Sequence, residues 1–320
     1  MIFVGHWQAD LNVGLFVRCQ GENCKRYVAI NCILVIYLKV CVMSAEKHKL
    51  HYTSLNRKTG DGDGLYEVDV HASVEELEHL ARAGYLVRDG LFQGEALQKL
   101  QKALDHLEEN EHDRFKNDPS QERSWGHIPR HLMDKDPVFL DLLKLPPVLS
   151  IARAMMGPLV RLRGLSARIS YPGPVLHETP WHRHLRVICK PLPPWFSEPH
   201  ALDALIYLDD LDEKTGAVSI VPGSHNWLDR EPPNGSYEPV EGELEVRVKA
   251  GGAVLIHSNL WHRGLPTLAA KRRMLILSYT PTWLRRSPHG GPQPDEGLTQ
   301  AVLDGDDEES HILLGKGGYT

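Results

Sequence analysis

Two hydrophobic periods divide this chain. Over 73–110 and again over 137–156, apolar residues recur every three or four positions. Leu77, Leu80 and Ala81 form one such stripe, and Leu97, Leu100, Leu104 and Leu107 form a second between Gly94 and Glu109. A third runs from Pro137 to Met156, broken at Pro146-Pro147 and closed by Gly157-Pro158. This period predicts amphipathic helices whose apolar stripes serve as core rather than as binding grooves. Ser73 with Glu76 three residues later marks a capping box, Gly84 ends that first helix, and YLVRDGLF (85–92) reads as a short strand and turn. After Gly157 the pattern changes to short strand-like runs at 159–171, 182–188, 204–211, 217–223, 244–257 and 273–280, separated by Gly and Pro clusters. Helices first and strands afterwards predict an α+β fold. Its core is expected to be a double-stranded β-helix, jelly-roll or cupin-like, with an N-terminal helical scaffold.

The two ends follow neither pattern. Tyr27 to Met43 is apolar apart from Asn31 and Lys39, yet shorter than the roughly 20 residues a bilayer span needs. It has neither the early basic region nor the small-residue cleavage site of a signal peptide. At Met43 the text turns polar, as MSAEKHKLHYTSLNRKTGDGDG. The expected organisation is therefore a doubtful extension at 1–42, with the working protein starting at Met43 and a polar linker at 43–64. The main domain follows at 65–285, with an acidic, Gly/Pro-rich tail at 286–320, solvated and carrying one short helix. A cytoplasmic location is expected, an N-terminal membrane anchor being the alternative.

Composition narrows the function. A formal charge of −6 over 320 residues argues against a nucleic-acid binder, although Lys271-Arg272-Arg273 leaves room for a local anion site. Four of the five cysteines lie in the first 41 residues, so the main domain has no disulfide framework, as fits a reducing compartment. Histidine is abundant, at 18 residues, and matters where it converges.

PWHRHLRV (180–187) raises that question. In a strand, residues i and i+2 face one side, so His182 and His184 can both point into a barrel. His262 follows a later β-run, and Arg273 opens the next strand eleven residues on. Two ligands from one strand, a third from a distant one and a buried arginine suit a facial metal site with an anionic co-substrate. A guanidinium grips a carboxylate bidentately, which favours arginine over lysine there. Taken singly, each of these histidines reads better as an ordinary packed or surface residue. Arg272 competes for the inward place, because alternation lets only one of the two neighbours face in.

From about Tyr66 to Tyr279 the chain resembles the phytanoyl-CoA dioxygenase family of iron(II)/2-oxoglutarate oxygenases. The resemblance rests on ARAGYLVRDGLFQGEALQKL, AMMGPLVRLRG, WHRH where that family has Trp-His-x-Asp, TGAVSIVPGSHNW with its PGSH phrase, and LIHSNLWHRGLPTLAAKRR. It implies iron(II) on His182, His184 and His262, and 2-oxoglutarate clamped by Arg273. The family often has a serine where Gly264 stands, so Thr267 is the candidate replacement hydroxyl. It further implies O2 and a small-molecule substrate as partners; with the charge already set against nucleic acid, a membrane partner is not expected either. Trp181, Trp195 and His225 are candidate pocket residues.

His184 replaces the family's carboxylate ligand, removing one negative charge from the metal and tilting the site toward nitrogen-preferring ions. Glu178 cannot substitute, since four extended residues span roughly 13 Å and Pro180 interrupts them. The reach of Glu198 and Asp203, beyond a Pro-rich loop, is open. An oxygenase with a three-histidine site is therefore expected, the alternative being a catalytically weak or inactive metal-binding member of the same fold.

Overall fold

The computed structural model describes residues 47–53, 65–116, 126, 128–172, 179–185, 191–233, 235–284 and 297–316. The readings made for residues 1–42 lie outside these. β1 (His48–Thr53) pairs antiparallel with β2 (Leu65–Val70), where only a linker was expected before residue 65. Leu50 and Tyr52 alternate onto the core there, and the Tyr52 hydroxyl donates to the Arg153 carbonyl at 3.0 Å. α1 (Val74–Ala83) starts on the expected box. The Ser73 hydroxyl accepts from the Glu76 N–H, and the Glu76 carboxylate accepts from the Ser73 N–H. Gly84 ends α1 in the left-handed region, with φ of 81°. Then follow β3 (Tyr85–Arg88) and α2 (Gly94–Lys116), the latter burying Leu100, Ala103, Leu104 and Leu107. A 3-10 segment, Pro137–Lys144, gives way at Leu145 to α3 (Pro146–Met156). The break falls there because proline disfavours the helical conformation in the residue before it.

The strands follow as β4 (Val160–Ser170), β5 (Thr179–His182), β6 (Leu202–Tyr207), β7 (Val218–Ile220), β8 (Leu244–Val246), β9 (Ala253–His257), β10 (His262–Gly264) and β11 (Arg272–Pro281). The expected single run at 244–257 is split by a turn at Ala250–Gly252, and β5 stops at His182 rather than continuing through 185. Two antiparallel sheets result, β3-β9-β6-β11-β4 and β5-β10-β7-β8.

Each face of the five-stranded sheet has its own core. Ala204, Ile206, Leu255, Leu275 and Leu277 pack with the apolar stripes of α1, α2 and α3. Leu205, Tyr207, Val254, Ile256 and Met274 pack against Val218, Ile220 and Val246 of the other sheet. The second set fills the space between the sheets, making a jelly roll. Because the pairing registers Met274 with Arg168 and with Tyr207, and Ser278 with Asp203, all these side chains face that interior.

The tail is not a solvated strand of chain with one helix. α4 (Leu298–Asp304) and α5 (Glu308–Leu313) dock on the 3-10 segment and β4, burying Leu313 and Leu314 in the helix-side core. Lys144 pairs with Asp307 and Glu309, and Arg153 with Glu309 at 2.8 Å. Lys144 and a hydrogen bond from Ser310 hold the Asp307 carboxyl down to about 2. Burial pushes the Glu309 carboxyl up, but Arg153 and Lys144 together bring it below its usual range. A depressed carboxylate stabilises above its unfolded pKa of about 4 and loses that contribution as pH falls through the folded value. Amide protection in 298–313, relative to the intrinsic exchange rate at each pH, is therefore expected to fall between pH about 4 and 2, ahead of protection in β6 and β11. Among the described residues, no helix is long and apolar enough to cross a membrane.

Candidate metal centre

β5 and β10 are antiparallel neighbours, and the register sets His182 directly opposite His262. His262 also stands opposite Ile220, an interior residue, so both imidazoles enter the space between the sheets. His184 lies two residues past His182, beyond the end of β5, where its N–H donates to the Ser258 carbonyl at 2.8 Å. The ring centroids are 4.1 Å apart for 182–262, 4.8 Å for 184–262 and 5.4 Å for 182–184. One potential ligand nitrogen from each lies within 4.8 Å of the other two.

Which nitrogen that is follows from the hydrogen bonds. Nδ1 of His182 sits 2.8 Å from the Pro180 carbonyl and Nδ1 of His262 sits 2.8 Å from the Leu260 carbonyl. A carbonyl only accepts, so both Nδ1 atoms carry the proton and both Nε2 atoms present a lone pair. His184 uses Nδ1 too, 2.8 Å from Oδ2 of Asp203. All three side chains thus turn Nε2 inward. Burial, and then the neighbouring His182 and His184, push the His262 imidazolium far below its ordinary pKa, which keeps it in the neutral, ligating form. Three imidazole nitrogens, each able to offer a lone pair, fit a first-row divalent cation.

Asp203 is fully enclosed. Besides His184, it accepts from Ser278 Oγ at 2.5 Å and from Arg163 Nη1 at 3.3 Å. Burial alone would raise its carboxyl, but His184, Arg163 and Ser278 together bring it well below the usual carboxylate range.

Two arginines share the interior face of the large sheet. Arg272 is buried on β11, opposite Ser170, with Nη1 donating to the carbonyls of Thr215 and Leu265, each at 3.0 Å. Gly216 permits that arrangement. Its φ is 73°, and a Cβ there would meet the Pro266 carbonyl at 2.4 Å, so only glycine lets the 215 and 265 backbones close on one guanidinium. Nε of Arg272 and the hydroxyl of buried Thr267 have no hydrogen-bond partner among the described residues. Arg168, two places along on β4, donates to Oγ1 of Thr179. Burial and the like charge of Arg272 push its guanidinium down to about 10. A buried cation with an orphaned Nε, next to a second buried guanidinium, makes a place for an anion.

Arg273 faces the other way. Asp209 holds it through Nε at 3.1 Å and Nη2 at 2.6 Å, and Asp105 of α2 accepts from Nη1 at 2.8 Å. The inward neighbour is Arg272, against the expectation for Arg273. The candidate pocket residues are not gathered at the histidines either. Trp181 is buried on the outer face of the small sheet, its indole N–H donating to Glu238. Trp195 is exposed and edges onto His200. His225 packs on the helix side against His257 and the end of α1, where a Cβ at Gly84 would stand 2.5 Å from its Nδ1. The phrases AGY and PGSH therefore meet each other, and Ser224 of the second accepts from the Trp261 N–H beside His262. The residues that sequence reasoning did not assign are Asp203, Arg163, Ser278 and Arg168. An acid in the otherwise apolar strand LDALIY was the available signal for the first.

An antiparallel double-sheet barrel with inward imidazoles on adjacent strands is a jelly roll whose interior could hold a metal ion. The phytanoyl-CoA dioxygenase family model matches residues 80–275, more than half of the chain. The chain belongs to that family and so to the iron(II)- and 2-oxoglutarate-dependent oxygenases. Solved structures agree in fold. HygX from Streptomyces hygroscopicus, with nickel and 2-oxoglutarate bound, superposes with a TM-score of 0.53 at 19% identity, over 67% of this chain and 89% of its own. The carbocyclase SnoK of nogalamycin biosynthesis gives 0.52 at 19%, over 71% and 94%. The epimerase SnoN of the same pathway gives 0.50 at 18%, over 70% and 90%.

Proposed function

We propose that this chain holds iron(II) on Nε2 of His182, His184 and His262 and uses 2-oxoglutarate to oxidise a small molecule. The observation that carries the reading is the shared commitment of the three Nδ1 atoms, which leaves three lone pairs converging. In this reading Arg272, rather than Arg273, grips the distal carboxylate of the co-substrate. Its orphaned Nε, the Thr267 hydroxyl and the neighbouring cation of Arg168 support that role. Bound iron(II) would supply the activation of dioxygen, coupled to decarboxylation of 2-oxoglutarate. The chain's own part is to fix the tautomers, hold the dianion at one end and exclude water with the Leu205, Ile256 and Met274 wall. A small-molecule substrate is supported by the fold relative HygX, which has been crystallised with hygromycin B.

The anaerobic visible spectrum, taken after adding iron(II) and then 2-oxoglutarate, tests this without knowledge of the substrate. A weak charge-transfer band is expected in the wild type. A band seen only in His184→Asp would instead support the alternative, a relative that binds metal but has lost co-substrate chemistry.

A further inference from the structure

The three histidines are not backed alike. Behind His182 and His262 stand neutral backbone carbonyls, of Pro180 and Leu260. Behind His184, the residue at the place where the family's carboxylate ligand belongs, stands a carboxylate. We infer that Asp203 is a positioning residue that returns to this centre, through the His184 ring, the negative charge and orientation that a carboxylate ligand would bring directly. The inference rests on the three-histidine reading and goes beyond it.

The geometry favours this over a structural ion pair. Asp203 projects from β6 between Leu202 and Ala204, inside the barrel, and Ser278 sits directly opposite on β11. Its Oδ2 accepts from His184 at 2.8 Å, while Oδ1 accepts from Ser278 at 2.5 Å and from Arg163 at 3.3 Å. Arg163 donates, and Ser278 and His184 can donate, to an ionised carboxylate, and Asp203 is not among the groups whose ligand atoms converge. Arg163 is about one-third exposed and its charge is screened by water, whereas His184 meets the carboxylate inside the barrel. A carboxylate accepting the Nδ1 proton makes the opposite nitrogen a stronger donor and locks the ring plane, the role such partners play behind other metal-bound imidazoles. The chain thus keeps its acid but moves it one ring back. Because the ring would stand between them, the charge would reach a bound metal attenuated, and the three protein donors would all be nitrogen.

Calorimetric titration of nickel(II) into the full-length protein tests this without turnover. The wild type, Asp203→Asn, His184→Asp and the double variant would be compared, with melting curves run alongside. Asp203→Asn is expected to weaken binding by about 10–100-fold in the wild-type background. In the His184→Asp background the same change should alter the dissociation constant by less than about threefold, since the ring that transmits the effect is gone. An equal loss in both backgrounds, or a lowered melting temperature with unchanged affinity, would mean that Asp203 only supports the fold and would overturn the inference. Ser278→Ala covers the case in which Asp203→Asn does not fold, because it keeps the carboxylate and removes a competing donor. Affinity should then hold or tighten, and a tenfold loss would contradict the proposal. Failure of the wild type to bind nickel(II) would sink the three-histidine reading itself, a result distinct from all of these.

Discussion

His262→Ala is expected to abolish specific binding of nickel(II) or iron(II), lowering affinity by well over the roughly 100-fold that loss of an outer-shell partner can cost. His262 is buried, and it is the only candidate ligand that β10 contributes. Without it, two donors remain, both from 182–184, on one side of the site. The readout is thermal. A metal that binds only the folded state adds about 2.7 kcal/mol at a free concentration 100 times its dissociation constant. For a domain of this size that is a rise of roughly 4–6 °C in Tm. The rise should be present in the wild type and absent in His262→Ala. The metal-free variant loses a packed imidazole, at a cost of about 1–3 kcal/mol, but is relieved of a lone pair facing two others, so its own Tm should move modestly. A full metal-induced rise in His262→Ala would exclude His262 as a ligand.

The helices and strands were legible because their patterns are local. The capping box at Ser73, the stop at Gly84 and the stripe through Leu100, Leu104 and Leu107 are decided within a few residues and recur in the structure. The three histidines were legible in part for the same reason, since His182 and His184 are neighbours and His262 follows a clear β-run. The acid behind His184 was not. Nineteen residues and a Pro-rich loop separate Asp203 from its partner, and only the folded sheets bring them to 2.8 Å. The tail misled the reading through its charge. Asp307 and Glu309 suggested solvent, but they pair with Lys144 and Arg153, which position Leu313 for burial.

The choice between Arg272 and Arg273 failed for a different reason, and it sets the second large expectation. β11 is covered on both faces, by helices on one side and the small sheet on the other, so its sequence RRMLILSY shows no polar side from which parity could be read. Register supplies what the pattern lacks. Arg272 shares its face with Met274 and with Arg168, while Arg273 shares the face of Leu275 that packs on the helices. Arg272→Met is therefore expected to raise the dissociation constant for 2-oxoglutarate in the iron(II) protein. Truncating one partner of a buried charge pair costs about 2–5 kcal/mol, or roughly 30- to 4,000-fold. Arg273→Met should leave that constant within about threefold and act on stability instead, because it frees Asp209 and Asp105 from a mostly buried pair of ion contacts. Arg168→Met separates charge from grip. If Arg168 serves only as a nearby cation, affinity should fall less steeply than in Arg272→Met and should weaken further with salt. Titration of 2-oxoglutarate against the charge-transfer band, with a melting curve for each variant, reads all three. Loss of co-substrate affinity in Arg273→Met with none in Arg272→Met would reverse the assignment and, with it, the face of β11 that lines the site.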